Sequence, residues 1–294
     1  MHVLETQANS ELRRCLLCTG LPLSPVPRPG HVTLLPINLS NLEPLIRVKS
    51  ADNQRLKATA TFARLFIPSF LPGVTTSMYV DCDTIFQADV VAFLDTWRWQ
   101  PNAVLAADVW HRNVSYMFPK ARKLYTERHR SIMDESRPLF NSGVLLLHHP
   151  VWQHHNISTE VVWWMQQHKT APNGLWFLGS QPPLQIAAYG LWQVLPPEWN
   201  VDHLAEVAQP LEEVAAGKLL HWSGFAHKPW SNDPLHFDAW VKHLLPAQGV
   251  RYCQCLLVGT GNLDQNSPYR KFLKTNGIDA RSPRTDDGSS QPMR

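Results

Sequence analysis

The sequence predicts an α/β fold, a mixed and mostly parallel sheet flanked by helices, on three observations. Continuous apolar runs of strand length recur at 78–80, 103–107 and 144–147, as expected of strands covered on both faces. Segments with helical spacing lie between them. The chain is also long enough, at 294 residues with 44% hydrophobic and 17% charged, to bury the interior of one large domain or two.

In chain order, His2, Val3 and Leu4 read as a strand, 10–18 as a helix, 22–30 as a proline-rich loop and 31–36 as another strand. Phe62, Leu65 and Phe66 are then spaced for one face of a helix, which Pro68 and the Pro72-Gly73 pair end. Lys57, Thr61 and Arg64 fall on its solvated face. The next strand, at Met78, stops abruptly at Asp81 and Asp83, with Cys82 between them. In open α/β sheets that edge faces ligands, so the paired carboxylates suit a hard divalent cation; the same two residues also serve as hydrogen-bonded turn residues. Extended geometry would point Cys82 away from both, into packing.

Asp89 is placed to cap a short helix over 90–96, and the strand at 103–107 ends at Asp108, a third carboxylate at a strand end. Phe140-Asn141-Ser142-Gly143 leads into the apolar run 144–147, its glycine permitting a close backbone or ligand approach. Ser158 is placed to cap a helix through His168. Gln181 precedes Pro182 and Pro183, which suit the first turn of a helix running to Tyr189 with Gly190 as its stop. Short strands are expected at 192–195 and 218–220, the second running into His221-Trp222-Ser223-Gly224. Periodicity fades beyond Gln248, so 1–247 reads as the folded domain, 248–294 as an extension and 282–294 as a disordered tail.

Composition narrows the partners. A net charge of +3 without a concentrated lysine or arginine block leaves no nucleic-acid footprint. No stretch reaches the ~20 apolar residues of a membrane helix, and residues 1–4 lack the layout of a secretory signal. N-x-S sequons nevertheless occur at Asn38, Asn113 and Asn156, which suits a secretory protein. The five cysteines form no even framework, and the C-x-x-C of Cys15 and Cys18 lacks the second pair that a zinc site needs. The 12 tryptophans and 24 prolines suit loops and flat apolar faces that stack on sugars or bases, and core packing accounts for them equally well.

The order of the motifs is more specific than any one of them: F-A-R-L-F-I-P-S-F-L-P, then Y-V-D-C-D, F-N-S-G-V and H-W-S-G-F-A-H-K-P-W. From about Lys57 to Trp240 this resembles glycosyltransferase family 8, and most of all the eukaryotic glycosyltransferase 8 domain-containing proteins. The segments Trp152 to Ser158, Pro182 to Leu184 and Lys218 to Gly224 add to the likeness. The resemblance implies a GT-A fold, a Rossmann-like α/β domain, that moves a hexose or related sugar from a UDP-sugar to a glycan, protein or small-molecule acceptor. It further implies retention at the anomeric carbon and Mn2+ as the cofactor, with Mg2+ as the alternative.

By the same resemblance Asp81, Asp83 and His221 match the metal ligands, and Lys228 matches the lysine that neutralises the departing diphosphate. Gly224 lets backbone approach the phosphates, Arg64 contacts the donor, and Asp108 and Asn141 sit where donor-sugar hydroxyls are held. The family often carries Asp-Gln where this chain has Ser180-Gln181. The glutamine that faces the reacting carbon is retained and the aspartate is not. The family's opening strand, helix and uracil-holding segment have no counterpart before His2. The expectation is therefore an N-terminally incomplete domain with an exposed groove beside the strand ending at Val80, and a Golgi enzyme whose membrane anchor would lie upstream. Two further readings stay open: a catalytically impaired module that binds carbohydrate or nucleotide sugar, and a metal-dependent nucleotidyltransferase.

Overall fold

The computed structural model describes residues 2–5, 33–36, 38–48, 59–243 and 268–275. The helix expected at 10–18, the loop at 22–30, the tail at 282–294 and all cysteines but Cys82 lie outside the described residues.

The site is carried by a four-stranded sheet in the order β3 (Thr76–Val80), β6 (Pro138–His148), β5 (Leu105–Asn113), β7 (Trp192–Val194). β6 runs antiparallel to both β3 and β5, and β7 runs parallel to β5, so three strands share a direction and β6 opposes them. Beside this mixed sheet stand two pairs, β1 (His2–Glu5) with β2 (Thr33–Pro36), parallel, and β4 (Thr84–Phe86) with β8 (Leu219–His221), antiparallel.

The apolar runs are continuous because both faces of the sheet are covered. Leu105, Ala107, Leu145 and Leu147 pack on one side with Val161, Trp164 and Met165 of the helix Ile157–Thr170 and with Leu184, Ile186 and Ala187 of the helix Gln181–Ala187. Ala106, Val144 and Leu146 pack on the other with Trp199, Leu219 and the apolar face of the helix Val90–Thr96. This strand alternation, helices on either side, is the α/β architecture expected. β3 departs from the reading of a fully covered strand. It lies at one end of the described sheet, pairs antiparallel with β6, and is half-buried along its length.

Local signals were met unevenly. Asp89 caps the helix Val90–Thr96, accepting from the N–H groups of Val91 and Ala92. Ser158 does not cap. The helix starts two residues earlier than such a cap would give, after Asn156 in a left-handed conformation, and the Ser158 hydroxyl instead donates to the Leu65 carbonyl and accepts from Trp152 Nε1. The segment around Phe62 is a 3-10 helix, Thr59–Phe66, followed by a short α-helix Ile67–Phe70. Pro68 sits in the first turn of that helix rather than ending it, a position where its missing N–H costs nothing. β5 continues past Asp108 to Asn113. The helix after Gln181 ends at Ala187, short of Tyr189, and Gly190 follows at φ +75°.

The helix Gln181–Ala187 is held in place by a polar network at its C-terminal end. Both Glu160 carboxylate oxygens accept from Arg128 Nη2 at 3.1 Å, and His129 Nε2 lies 3.2 Å from Glu160 Oε1. Arg128 also donates to the carbonyls of Ala187 and Tyr189. Burial would raise the Glu160 carboxyl, but the His129 hydrogen bond and the Arg128 charge prevail and lower it. A depressed carboxyl contributes stability above its unfolded value and loses it as pH falls through the folded one. Glu160→Gln is therefore expected to cost about 1.5–3 kcal/mol at pH 7. In urea titrations the gap from the unsubstituted protein should close on acidification below pH ~4.5, and a gap independent of pH would refute the assignment.

Candidate active site

Two short ladders bring the acidic pair to a histidine some 140 positions away. β3 delivers Asp81 beside β6, where the Asp81 N–H donates to the Gly143 carbonyl at 2.7 Å. After the three residues Asp81, Cys82 and Asp83 the chain enters β4, which pairs Thr84 with His221, and the Trp222 N–H donates to the Asp83 carbonyl at 2.9 Å. Asp81, Asp83 and His221 then each offer a ligand atom, all within 4.8 Å of one another. His221 and Asp83 are buried and Asp81 is half-buried. Cys82 is exposed rather than packed, because the chain turns at 82–83 and the extended geometry does not persist there.

Gly143 makes the space between them. A Cβ there would lie 2.3 Å from His221 Cε1, 2.9 Å from His221 Nε2 and 2.9 Å from Asp81 Oδ2. Only a glycine leaves that cradle, and two of the candidate ligand atoms border it. β6 has its irregularity here: the β5 register runs to Ala107↔Leu145 and resumes at Val109↔Phe140, so Asn141 to Val144 are released from β5. Two carboxylates and an imidazole around a cavity of this size are a donor set that fits a divalent cation of the Mn2+ type. Mg2+, which favours all-oxygen surroundings, suits the histidine less well.

A cationic side chain is seated on each carboxylate. Arg64, buried and expected on a solvated face, instead reaches Asp81 Oδ1 at 3.1 Å and donates to the Ser142 carbonyl at 2.5 Å; its guanidinium lies 4.7 Å over the Tyr79 ring. The Tyr79 hydroxyl donates to the same Asp81 oxygen at 2.5 Å. Lys228 Nζ pairs with Asp83 Oδ2 and donates to the Trp222 carbonyl. Burial would raise the Asp83 carboxyl, but His221 and the Lys228 ammonium beside it bring it down to about 2.

The other expected residues gather around this centre. Gln181 Oε1 accepts from the Ser142 hydroxyl at 2.9 Å, which joins the start of the helix Gln181–Ala187 to the N-S-G segment. Asn141 is buried, accepting from the Gly143 N–H at 2.7 Å and donating to Asp202 Oδ2 at 2.8 Å. Asp108 is not at a strand end: it sits within β5 at the register break, Oδ1 accepting from its neighbour's N–H and Oδ2 from Asn200 Nδ2 at 3.3 Å. Gly224 adopts φ +103°, and a Cβ there would lie 2.2 Å from Glu206 Cγ, so within the described residues its close approach is to Glu206.

The sequence reading missed the segment from Asn200 to His203. Its backbone runs beside β8, with a parallel bridge between Val201 and Leu220, and this sets Asn200 against His221 and Asp202 against Asn141. His203 has a left-handed backbone, φ +60°, and its Nδ1 lies 2.6 Å from Asp202 Oδ1. That hydrogen bond raises its pKa. Non-glycine residues in this region carry strain that surrounding contacts must hold. The only signal in the chain was the polar pair Asn200 and Asp202 straddling an apolar residue, too common to single out.

Gly143→Ala tests the cradle. The substitution should lower stability by about 1–3 kcal/mol through overpacking against the buried His221, and should abolish saturable Mn2+ binding followed by electron paramagnetic resonance of the free ion. Unchanged melting and unchanged binding would show that the space is not what the glycine preserves.

The model of glycosyl transferase family 8 matches residues 16–233. Glycosyltransferase 8 domain-containing protein 1 of Homo sapiens is 31% identical over 206 residues, covering 63% of this chain and 54% of the relative. Glycosyltransferase 8 domain-containing protein 2 of Mus musculus is 27% identical over 233 residues, covering 72% and 65%. The chain thus spans about half the length of the first of these relatives. Among solved structures, the galactosyltransferase LgtC in complex with donor and acceptor sugar analogues aligns at a TM-score of 0.52 with 18% identity, over 92% of this chain and 88% of its own. The glycosyltransferase GlyE of Streptococcus pneumoniae aligns at 0.50 with 18% identity, over 87% and 55%. The fold is that of these GT-A enzymes, and the chain belongs to glycosyl transferase family 8.

Proposed function

We propose that this chain transfers a hexose, with retention at the anomeric carbon, from a UDP-sugar to an acceptor in a Mn2+-dependent reaction. The observation that carries the reading is the convergence of Asp81, Asp83 and His221 on one small space, with Lys228 seated on Asp83, inside a family 8 chain. Asp81, Asp83 and His221 would hold the cation, and when bound it supplies positive charge to the two phosphates of the leaving nucleotide.

Lys228 adds a point charge from the protein side. Its ammonium is already placed by Asp83 and the Trp222 carbonyl, so little reorganisation is needed as negative charge grows on the departing diphosphate. Arg64 holds Asp81 through one oxygen and Ser142 through its carbonyl, which ties the acidic pair to the segment bearing Asn141. Asn141 and Asp108 would orient the donor sugar, the role that the family resemblance implies for them. Gln181, fixed through its carbonyl oxygen by the Ser142 hydroxyl, would present its amide to the reacting carbon. Ser180 in place of the family's frequent aspartate removes one carboxylate from the sugar side of the pocket, so the preferred sugar is set by the remaining polar groups.

A panel of UDP-sugars, assayed for UDP release with Mn2+, tests the assignment. At least one donor should be hydrolysed, with activity lost in chelator and reduced more than 100-fold in Asp83→Asn. Release of pyrophosphate instead would favour a nucleotidyltransferase, and donor binding without turnover would favour an impaired binding module. Lys228→Ala should lower kcat by about 10²–10³-fold with KM changed by less than about threefold, since the charge it meets develops in the transition state. An effect confined to KM would remove Lys228 from that role.

A further inference from the structure

We infer that Asn200 is a positioning residue that presets His221 in the tautomer able to bind metal, and that Asp108 acts through it. The inference rests on the metal reading above and assigns the work to a side chain outside the ligand set.

Asn200 is buried and bonded at both ends of its amide: Oδ1 lies 2.9 Å from His221 Nδ1, and Nδ2 lies 3.3 Å from Asp108 Oδ2. Its orientation follows from chemistry. A carboxylate only accepts, so the end facing Asp108 must be the NH2 group, and the end facing His221 must be the carbonyl oxygen. That oxygen can only accept, so His221 Nδ1 must carry a proton. In the neutral ring Nε2 is then a lone pair, and Nε2 is the atom that borders the Gly143 cradle and faces Asp83 Oδ1 at 3.4 Å. The reverse tautomer would set two lone pairs against each other at Asn200 and a proton in the cradle.

The backbone makes the relay rigid. Val201 N–H donates to the Leu219 carbonyl and His221 N–H to the Val201 carbonyl, both at 2.9 Å, so residue 200 and residue 221 are locked in register by the ladder between them. Asp108 sits at the break in the β5 register, which frees its side chain to reach across to Asn200. A ligating imidazole whose other nitrogen donates to a fixed acceptor is the usual way a protein chooses which nitrogen is metallated, and removing such a partner typically weakens metal binding about 10- to 100-fold.

Two readouts separate this role from a merely structural one. Two-bond 1H–15N correlation spectra of the metal-free protein should show His221 in the Nδ1–H form, shifting toward a mixture in Asn200→Ala. Mn2+ affinity, followed by electron paramagnetic resonance without nucleotide, should fall about 10- to 100-fold in Asn200→Ala and Asn200→Leu. Asn200→Asp combined with Asp108→Asn keeps an acceptor for Nδ1–H and a donor–acceptor pair behind it, and should retain affinity within about threefold of the unsubstituted protein. An Nε2–H form in the unsubstituted protein, or unchanged affinity in a folded Asn200→Ala, would overturn the inference. Should Asn200→Ala not fold, the tautomer of the unsubstituted protein and the affinity of the Asn200→Asp, Asp108→Asn double variant decide it. Absence of any Mn2+ binding by the unsubstituted protein would instead sink the metal reading, a different result from binding that ignores Asn200.

Discussion

The site depends on the antiparallel pairing of β4 with β8, three residues long, joined by the three-residue turn Asp81 to Asp83 to the β3–β6 ladder. Because Asp81 is bonded to the end of one ladder and Asp83 to the start of the other, the two carboxylates are fixed to different parts of the sheet rather than left on a flexible turn. The entropy of closing a loop of some 140 residues is met by hydrogen bonds and by the buried residues of β8, not by the site itself. A site of three potential ligands therefore exists before any ligand arrives, and binding need not pay to assemble it.

Preorganisation on this scale has an electrostatic cost, and the molecule meets it locally. Asp83 is buried, and a buried carboxylate without partners would shed its charge. Lys228 and His221 keep it ionised, while Arg64 and the Tyr79 hydroxyl share one oxygen of Asp81. The other Asp81 oxygen borders the Gly143 cradle. Each acid is thus divided between a structural partner and the common space, which lets one residue serve both the fold and the chemistry.

The same economy runs through the N-S-G segment. Release of 141–144 from β5 frees Asn141, Ser142 and Gly143 to contact, in turn, Asp202, Arg64 with Gln181, and the pair Asp81 and His221. A regular ladder would have spent those backbone groups on β5 and pointed alternate side chains into the two apolar layers. The irregularity is where a covered sheet becomes a polar pocket.

The sequence by itself determined the layered fold and most of the site's membership. Apolar runs such as 144–147 have no other stable place than a sheet covered on both faces, and the ordered motifs carry the family likeness along with Asp81, Asp83, Gly143, His221 and Lys228. Local chemistry also sufficed for Asp89, whose cap involves only its next neighbours. What it did not determine were the features settled by distant partners. Ser158 was drawn from a cap to the Leu65 carbonyl, Arg64 from a solvated face to a buried ion pair, and Asp108 from a strand end to a register break. Asn200 was silent for the same reason: an asparagine in a loop declares no function until tertiary structure places a carboxylate at one end of its amide and an imidazole at the other. Periodicity and motif record what a residue does with its neighbours in sequence, and only the closed sheet decides what it meets across it.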